Sequence, residues 1–557
     1  FLNLINSLAS EQDFDSLLQS ISRETMATSE ADGVLVYLLS EDECTLQPAI
    51  LADSVRGTLD VSRLPGLPVS DGDELVKAAN RDGSSILRLS RPSAAKLAAL
   101  PDLFEEAPLT LIALPLRNRP EEMIGVLNLI YRDSSVSRDD HAQDDHIAFV
   151  SALSGFAAVS LESRQLLMMQ KALLDAFIKL IASAIDSKSP YTGGHCQRVP
   201  ELTRLLAEAA CHSSAPAFRD FDLDAQQWEA LDIASWLHDC GKVTTPEYVV
   251  DKATKLETLY DRIHEIRMRF EVLKRDAQIR YWRQRAGGGD HQPLDADLQQ
   301  QLNQLDEDFA FIAECNLGGE FMAPDRLERL QRIAAYSWLR TLDDRLGVSW
   351  EERQRMEREA ASPLPATERL LDNKVQHLIE RDSVDRLPAD NPWGFKMDTP
   401  EYKYNRGELY NLEVARGTLT EEERYKINDH IMQTIIMLEK LPYPKHLRDV
   451  PLIAGCHHET MDGKGYPKRL TREQMPLLAR MMAVADIFEA LTASDRPYKK
   501  ARTLGEAIRI MSFMKEEQHI DADLFDLFLS SGAWLEYGRR HLQAEQLDEV
   551  DISQYLG

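Results

Sequence analysis

A histidine and an aspartate, His238 and Asp239, stand side by side at the end of an otherwise apolar run. From Trp228 to Leu237 the apolar residues recur at roughly helical spacing, which predicts a helix with a buried face. A buried His-Asp pair costs several kcal/mol unless it is paired or bound to a cation. Because Gly241 offers a helix stop, we expect His238, Asp239 and Lys242 at a helix end that faces a cavity. Such a cluster requires partners from elsewhere in the chain.

Other ionisable residues lie in similarly apolar helical segments further along the chain. They are His195, His430, His457, His458 and Asp486. Any one of them alone is more often a satisfied core or surface residue than a ligand. Together with His238 and Asp239 they form a set of nitrogen and oxygen donors without a thiolate. That chemistry suits manganese, iron, zinc or nickel and gives no preference for copper(I).

The donor set also predicts a type of reaction. An aspartate can bridge two metals through its two oxygens, whereas a histidine serves only one. Two ions ~3.5–4 Å apart activate a water between them and stabilise a phosphoryl oxygen, so we expect hydrolysis of a phosphodiester or phosphomonoester. Lys242, one helical turn beyond His238, is suited to neutralise a phosphate oxygen or protonate a leaving group. A solvated lysine at a helix end is the alternative.

The charge balance limits the partners. With 92 acidic and 64 basic residues the formal charge is −28. This argues against a nucleic-acid polymer or an anionic membrane surface as the partner. An anionic substrate is therefore expected to be captured locally, by metals or by a few basic groups.

The length of the chain and its cysteine content limit the number of domains and the cellular compartment. A chain of 557 residues is too long for one core and suggests about three domains. The six cysteines have no CxxC spacing and fit a reducing cytosol. The sequence has neither a run of about 18 apolar residues nor a signal peptide. We expect a cytoplasmic protein, and the start at Phe1 rather than Met leaves open that it is the cytosolic part of a membrane-anchored one.

The N-terminal part is expected to be an α+β sensory module. Residues 12–28 indicate a helix, and five strand-like runs follow, separated by acidic or Gly/Pro turns. The runs are GVLVYLLS, LQPAILAD, SSILRLS, LIALPLRN and MIGVLNLIY. This order of helix, hairpin, broken helices and closing hairpin resembles a GAF domain. We assign it to residues 1–145, and the resemblance implies a small ligand of unknown identity.

A long helix is predicted over residues 146–186. Leu166, Met169, Leu173, Ala176 and Leu180 step by three and four residues, which is an a/d seam. One interpretation is the stalk of a parallel homodimer that carries a sensory state to the next domain. The other is a helix that packs on its own domain.

The motif-bearing helices belong to a second domain, residues 187–530. It is interrupted at 258–416 by a charged, Gln-rich stretch with Phe, Leu and Ile at helical spacing, which predicts a helical insertion. Residues 531–557 are assigned as a C-terminal tail. The predicted fold class is therefore multidomain, an α+β domain followed by an all-α bundle with a large helical insertion.

Two motifs carry a family resemblance. HDCGK at 238–242 resembles the His-Asp signature of the HD phosphohydrolase superfamily, and HHETMDGKGYP at 457–467 resembles the extended signature of its HD-GYP subfamily. Other blocks match in order: His195 with Arg198 and Val199, residues 246–252, residues 419–423 before His430, and ADIFEALTASDRPYK at 485–499. The resemblance implies a phosphodiesterase that hydrolyses cyclic di-GMP to linear pGpG, and in some members on to GMP.

By position, the resemblance implies two ligand sets that share Asp239. The first set is His195, His238, Asp239 and Asp486, and the second is Asp239, His430, His457 and His458. We expect two divalent transition metals, iron or manganese ahead of zinc or nickel, with Asp239 and Lys242 as catalytic residues.

Substrate contacts follow from the same resemblance. It implies that Lys242, Tyr466, Arg496 and Lys499 bind the substrate. Gly463, Gly465, Tyr466 and Pro467 make up the GYP loop, which can close on substrate or engage a protein partner. The insertion is a second surface that could cap the site or bind a partner.

One departure from the subfamily affects the metal count. Some members carry a glutamate four residues before the first motif histidine, where it helps to bind a third metal. Tyr191 stands there in this chain. We therefore expect two metals, and weaker hydrolysis of pGpG than of cyclic di-GMP.

Other functions remain open from sequence. An HD-family hydrolase could act on another cyclic dinucleotide or on a nucleotide, and a non-catalytic receptor could bind cyclic di-GMP or a partner. A purely structural site is less favoured, because it would not need more donors than one ion takes.

Overall fold

A computed structural model describes residues 14–40, 42–70, 73–80, 85–89, 109–118, 120–132, 140–188, 194–319, 321–388, 390–493 and 501–556. The chain divides into two compact units, Phe1–Ala176 and Phe177–Gly557.

The first unit is built on one antiparallel sheet. Its elements are α1 (Phe14–Ser29), β1 (Gly33–Leu39), β2 (Thr45–Asp53), β3 (Gly57–Leu59), β4 (Leu67–Pro68), α2 (Glu74–Ala79), β5 (Ser85–Leu89), β6 (Leu109–Arg117) and β7 (Met123–Arg132). The strand order is β3-β2-β1-β7-β6-β5, and β4 pairs with β2. All five predicted strands are confirmed, and β3 and β4 are additional short strands.

Both faces of this sheet are buried, because successive side chains of a strand point to opposite faces. On β1, Leu35 and Tyr37 belong to a core with α2. Val34 and Val36 belong to a second core with α1, which also includes Ala157, Ala158 and Leu161. The sensory unit therefore extends past the predicted limit at residue 145, because residues 157–161, in the first half of the next helix, help to cover the second face of the sheet.

That helix, α3, runs from Asp140 to Asp186, six residues earlier in its start than predicted. Leu166, Met169, Leu173 and Leu180 of the predicted seam are 52–62% exposed. Ile178, Ala182 and Ile185 near its C-terminal end are instead buried among helices of the second unit. Among the described helices, none combines the length and apolarity that crossing a bilayer requires.

The second unit is mainly helical. Its helices outside the insertion are α4 (His195–Cys211), α5 (Ala225–Leu237), α6 (Glu247–Val250), α12 (Glu421–Glu439), α13 (Val450–Gly455), α14 (Leu477–Thr492), α15 (Leu504–Glu516), α16 (Ala522–Ser530) and α17 (Ala533–His541). One core joins α4 and α14 to α15–α17. Trp534 and Tyr537 of α17 are buried in that core, so residues 533–541, predicted as part of a tail, contribute to the packed domain.

The insertion begins with two long helices, as predicted, and then departs from the prediction. Its elements are α7 (Ile263–Ala286), α8 (His291–Asn316), α9 (Pro324–Ala334), β8 (Ser337–Arg340), α10 (Trp350–Met356), β9 (Ala366–Arg369), β10 (Leu378–Glu380), β11 (Tyr402–Asn405) and α11 (Glu408–Leu412). Strands β8 and β9 pair, as do β10 and β11. The later half is thus largely extended chain around two small sheets.

The two ends of the insertion meet. Lys252 Nζ lies 2.7 Å from Glu423 Oε2, and both side chains are buried. Thr418 Oγ1 donates to the carbonyl oxygen of Lys252 at 3.1 Å. The helices that carry the motifs before and after the insertion are therefore joined across its base.

Candidate metal centre

Five segments of the second unit converge on one buried cluster. His195 is the first residue of α4, His238 and Asp239 follow α5, His430 lies within α12, His457 and His458 follow α13, and Asp486 lies within α14. The structure thus brings together all seven residues that the sequence selected as metal ligands. All of them are buried except His458 and Asp486, which are partly buried.

One oxygen of Asp239 faces the ligands of the first predicted set. Oδ2 lies 3.1 Å from Nε2 of His195 and 3.3 Å from Nε2 of His238. Asp486 Oδ1 lies 3.3 Å from the same His195 nitrogen and 3.9 Å from that of His238. Four donor atoms from three segments therefore face a common point.

The other oxygen of Asp239 faces the second set. Oδ1 lies 3.2 Å from Nε2 of His430 and 4.0 Å from Nε2 of His457. His458 Nε2 lies 3.2 Å from Nε2 of His430. Asp239 is the residue shared by both groups of donors.

Backbone carbonyl groups fix the orientation of three of these imidazoles. Nδ1 of His238 lies 2.7 Å from the oxygen of Ser235, and Nδ1 of His457 lies 2.7 Å from the oxygen of Ala454. His430 makes the same contact three residues back, to Ile427. A carbonyl oxygen only accepts, so we assign the proton to Nδ1 and a lone pair to each Nε2.

This assignment leaves acceptor atoms facing acceptor atoms. Among the described residues, Nε2 of His238 and Nε2 of His457 have no hydrogen-bond partner although both are buried. Nε2 of His430 faces a carboxylate oxygen and a second imidazole nitrogen. Buried lone pairs this close to one another require a cation or a proton between them. The residues therefore fit divalent metal ions, and imidazole with carboxylate is a donor set for first-row transition metals.

The pKa values differ across the cluster. Burial, then the neighbouring His238, lowers the pKa of His457 to about 4, and burial lowers the pKa of His458 as well. Burial would raise the pKa of Asp239, but Lys242 and the surrounding imidazoles hold it well below its usual range. At neutral pH His457, His458 and Asp239 are therefore already in the deprotonated form that metal binding requires.

Lys242 adds a positive charge at the edge of the cluster. Its Nζ lies 2.5 Å from Asp239 Oδ2, and its side chain is 31% exposed. The short 3-10 helix that carries it, Cys240–Thr244, packs against α12 at Gly241, where a Cβ would overlap the carbonyl oxygen of His430. The amide of Gly241 donates to Thr434 Oγ1 at 2.9 Å. A glycine is therefore required for the two metal-binding segments to approach.

One functional side chain was missed from sequence. Glu489 is 1% exposed, and its Oε2 lies 2.5 Å from Nδ1 of His195. Its other oxygen lies 2.6 Å from Nη2 of Arg198. A carboxylate behind a ligating histidine orients the ring and raises its basicity. The available signal was its spacing, because Glu489 follows Asp486 by three residues on the same helix.

The GYP loop is folded onto the second group of histidines. The ring of Tyr466 stacks on His458 with centroids 4.9 Å apart. Its amide donates to the carbonyl oxygen of His458 at 3.2 Å. Gly463 has a φ of 75°, and a Cβ on Gly465 would overlap the backbone of Glu459. Pro467 is buried, so the loop closes one side of the cluster.

Three residues named from sequence lie outside the described part of the chain. They are Tyr191, Arg496 and Lys499. The expectation of two metals rather than three, as far as it rests on Tyr191, and two of the expected substrate contacts therefore stay predictions.

Comparison with known families agrees with this division of the chain. Residues 13–161 match the family model of the GAF domain, and residues 365–524 match that of the HD domain. The chain therefore contains a GAF domain followed by an HD domain. The HD match covers His430, His457, His458 and Asp486, and it starts within the insertion, after Asp239.

Curated relatives match over short stretches. Cyclic di-GMP phosphodiesterase PA4108 of Pseudomonas aeruginosa is 49% identical over 75 residues, 14% of this chain and 17% of that protein. 3'3'-cGAMP-specific phosphodiesterase 3 of Vibrio cholerae is 36% identical over 20% of this chain and 23% of its own length. Cyclic di-GMP phosphodiesterase response regulator RpfG of Xanthomonas campestris is 30% identical over 35% of this chain and 53% of its own length. The chain thus spans about half of these relatives or less.

Proposed function

We propose that this GAF- and HD-domain chain is a metal-dependent phosphodiesterase that hydrolyses cyclic di-GMP to linear pGpG. The observation that carries the proposal is the single carboxylate of Asp239 between two groups of histidines, one group facing each oxygen. The names of the relatives in Pseudomonas aeruginosa and Xanthomonas campestris support the substrate.

The proposed cofactor is a pair of divalent ions. His195, His238 and Asp486 would hold one ion and His430, His457 and His458 the other, with Asp239 common to both. Divalent ions in such a site supply Lewis-acid polarisation of a phosphoryl oxygen and activation of a water at neutral pH. Iron or manganese is favoured, and zinc or nickel is compatible with the same donors.

The chain's own residues position the substrate around the ions. Lys242 Nζ stands beside Asp239 with part of its side chain accessible, so it can neutralise a phosphate oxygen or donate a proton to the leaving oxygen. Tyr466, stacked on His458, covers one side of the cluster and limits the access of bulk water there. Hydrolysis of pGpG is proposed to be slower than that of the cyclic substrate.

A second substrate is favoured by a specific observation. Three relatives from Vibrio cholerae are named 3'3'-cGAMP-specific phosphodiesterases, with 36–42% identity over 76–111 residues where matched. A hydrolase of that cyclic dinucleotide is therefore the second candidate. A receptor that binds a cyclic dinucleotide without cleaving it is the non-enzymatic alternative.

Regulation through α3 is supported by contacts at its C-terminal end. Asp186 accepts hydrogen bonds from the amides of Gly194 at 3.2 Å and Cys196 at 3.3 Å, on either side of His195. Lys188 Nζ donates to the carbonyl oxygen of Lys242 at 3.2 Å. We propose that the GAF domain, on binding an unidentified small ligand, acts on the metal centre through these two residues.

The exposed seam of α3 supports a parallel homodimer as part of this proposal. Leu166, Met169, Leu173 and Leu180 would pack against their copies at a and d positions. Partner proteins at the GYP loop or at the insertion belong to the same proposal, as does a cytoplasmic location.

The proposal is tested with protein purified anaerobically. Metal content is measured on the sample that is assayed, and cyclic di-GMP, 3'3'-cGAMP, pGpG and GMP are separated by chromatography. We expect about two ions per chain and pGpG as the main product from cyclic di-GMP. A faster reaction with 3'3'-cGAMP would select the second candidate, and no turnover of either by the fully metallated protein would reject the enzyme.

A further inference from the structure

A cavity of about 570 Å3 opens between α12 and the last part of the insertion. We call residues 381–388 and 390–404 the return segment. It supplies the wall of the cavity opposite α12, including Arg381, Arg386, Trp393 and Phe395. The volume lies within the range of small-molecule binding sites.

The cavity adjoins the metal centre. Lys426 and Gln433, which line it, lie four residues before and three residues after His430 on α12. Positions at these spacings are neighbours on a helix surface, so the cavity borders the face that carries the ligand. Thr244, at the end of the 3-10 helix that follows Asp239, lines it as well.

The return segment is fixed to both α12 and the GYP loop. Phe395 is buried in a cluster with Tyr425, Met432 and Ile435 of α12. The amide of Lys396 donates to the carbonyl oxygen of Pro467 at 2.7 Å. The wall is therefore held in place relative to the residue next to Tyr466, which stacks on a metal-ligand candidate.

This wall presents a stacked aromatic pair to the cavity. The rings of Trp393 and Phe395 are nearly parallel, 12° apart in orientation, with centroids separated by 5.7 Å. Phe395 is 5% exposed, whereas Trp393 is only half-buried. A planar base can stack on an aromatic face of this kind, and such a contact is worth about 1–3 kcal/mol per base.

The lining of the cavity carries more positive than negative charge, although the protein as a whole is acidic. Its charged lining residues are Arg381, Arg386, Lys403, Lys426, Asp385 and Asp429. The two aspartates pair with the two lysines, at 2.5 Å for Lys403 and 2.7 Å for Lys426. Among the described residues, neither arginine has a carboxylate within ion-pair distance.

Arg381 is held in place by neutral groups rather than by a carboxylate. It is 9% exposed, and its guanidinium lies over the ring of Tyr425, 4.8 Å from the centroid. Nε and Nη2 donate to the carbonyl oxygens of Pro400 and Tyr402. A buried cation with these neutral partners is stabilised further by an anion. On a chain of charge −28, the charges of this cavity therefore favour a negatively charged group.

We propose that the insertion supplies a second substrate-binding subsite here, for the half of a cyclic purine dinucleotide that lies away from the scissile bond. The base stacks on Trp393, and the phosphate of that half faces Arg381 and Arg386. The inference rests on the proposed function and names residues outside the HDCGK and HHETMDGKGYP motifs. These side chains are positioning residues, because they hold substrate without touching the reacting bond.

The test compares Trp393→Ala with Trp350→Ala, a 69% exposed tryptophan of the insertion that does not line the cavity. We expect Trp393→Ala to raise KM for cyclic di-GMP about 5- to 150-fold with kcat changed much less. Trp393→Phe should recover most of the loss. Metal content and hydrolysis of methyl p-nitrophenyl phosphate, which has no nucleobase, should stay at the level of the unsubstituted protein.

A second substitution guards against a folding defect. Arg386 is exposed, and Arg386→Gln should raise KM about 5-fold, with a weaker dependence on salt. Unchanged KM in both Trp393→Ala and Arg386→Gln would overturn the subsite while leaving the enzyme intact. If the unsubstituted protein does not turn over cyclic di-GMP, the proposed function fails separately. Binding of cyclic di-GMP, measured by calorimetry, then tests the subsite. A Kd for Trp393→Ala equal to that of the unsubstituted protein, or no binding to either of these two proteins, would reject it.

Discussion

Nδ1 of His195 lies 2.5 Å from Oε2 of Glu489, a carboxylate buried behind the cluster of ligand candidates. The contact turns Nε2 of His195 toward Asp239 and Asp486. Arg198 holds the other oxygen of Glu489 at 2.6 Å. The imidazole is therefore oriented from α14, the same helix that supplies Asp486.

Glu489→Gln should weaken metal binding by about 10- to 100-fold, because the amide no longer supports the basicity of His195. Titration of the metal-free protein with manganese, followed by calorimetry, measures the change. Glu208→Gln, at an exposed position on α4, is the matched control. Equal affinities for the Glu489→Gln and control proteins would show that Glu489 has no part in the centre.

Asp239→Ala should remove both ions, whereas His457→Ala should remove only one. The reason is that Asp239 faces both groups of donors and His457 faces one. Metal content by mass spectrometry after desalting gives the stoichiometry, and turnover is measured on the same samples. An Asp239→Ala protein with full metal content and full turnover would contradict the assignment of the site.

Lys242→Ala should lower kcat by roughly 100-fold while metal content stays at the wild-type level. The lysine lies beside Asp239 but carries no free electron pair when protonated, so it is not a ligand. Lys464→Ala, in the GYP loop at a side chain that is 84% exposed, controls for loss of surface charge. Wild-type kcat in Lys242→Ala would remove this residue from the mechanism.

Gly241→Ala should destabilise the HD domain by about 1–3 kcal/mol or more, because the added methyl group overlaps the carbonyl oxygen of His430. Thermal unfolding followed by circular dichroism measures the change in Tm. Gly319→Ala meets no atom within 4 Å and should leave Tm nearly unchanged. Similar Tm values for the two variants would mean that α12 moves aside without cost.

The insertion should lose stability between pH 6.5 and about 4. Burial is the main cause that lowers the pKa of His377 to about 4, with Arg262 and Lys374 adding to it and Glu408 opposing it. The folded state stays neutral in this range while the unfolded chain binds a proton, so the free energy of unfolding falls as the pH drops. Hydrogen exchange of peptides from 258–416 at several pH values, corrected for intrinsic rates, measures this.

His377→Gln should remove that pH dependence, because glutamine does not titrate. The control is His264→Gln, which changes an exposed histidine of the same insertion. An acid sensitivity that persists in His377→Gln and disappears in His264→Gln would assign the effect to the wrong histidine.

Much of the site could be predicted because its chemistry is local in the sequence. His238 with Asp239, and His457 with His458, are adjacent pairs in apolar helical surroundings, which makes them visible without a structure. The strands of the GAF domain were visible for a similar reason, since β1, β2, β6 and β7 are long apolar runs between turns. Strands β3 and β4 were missed because three and two residues show no alternation.

Long-range relationships could not be predicted in the same way. Lys252 and Glu423 are 171 residues apart, and nothing in the intervening sequence indicates that they pair. The charged part of the insertion was predicted as helical from Phe, Leu and Ile at helical spacing, but its short strands β8 and β9 are stabilised by pairing with each other and not by local periodicity. Glu489 was missed because a single acidic residue in a helix gives little signal in the sequence, and only the structure shows its contact with the imidazole ring of His195.

The contact between the return segment and the GYP loop is made by main-chain atoms, from the amide of Lys396 to the carbonyl oxygen of Pro467. Side-chain identity at these two positions is therefore free to drift over evolution without loss of the bond. Alanine at either position would leave this bond intact, because alanine keeps both the amide and the carbonyl group. Only removal of the amide hydrogen, as in Lys396→Pro, would separate the insertion from the loop at this point.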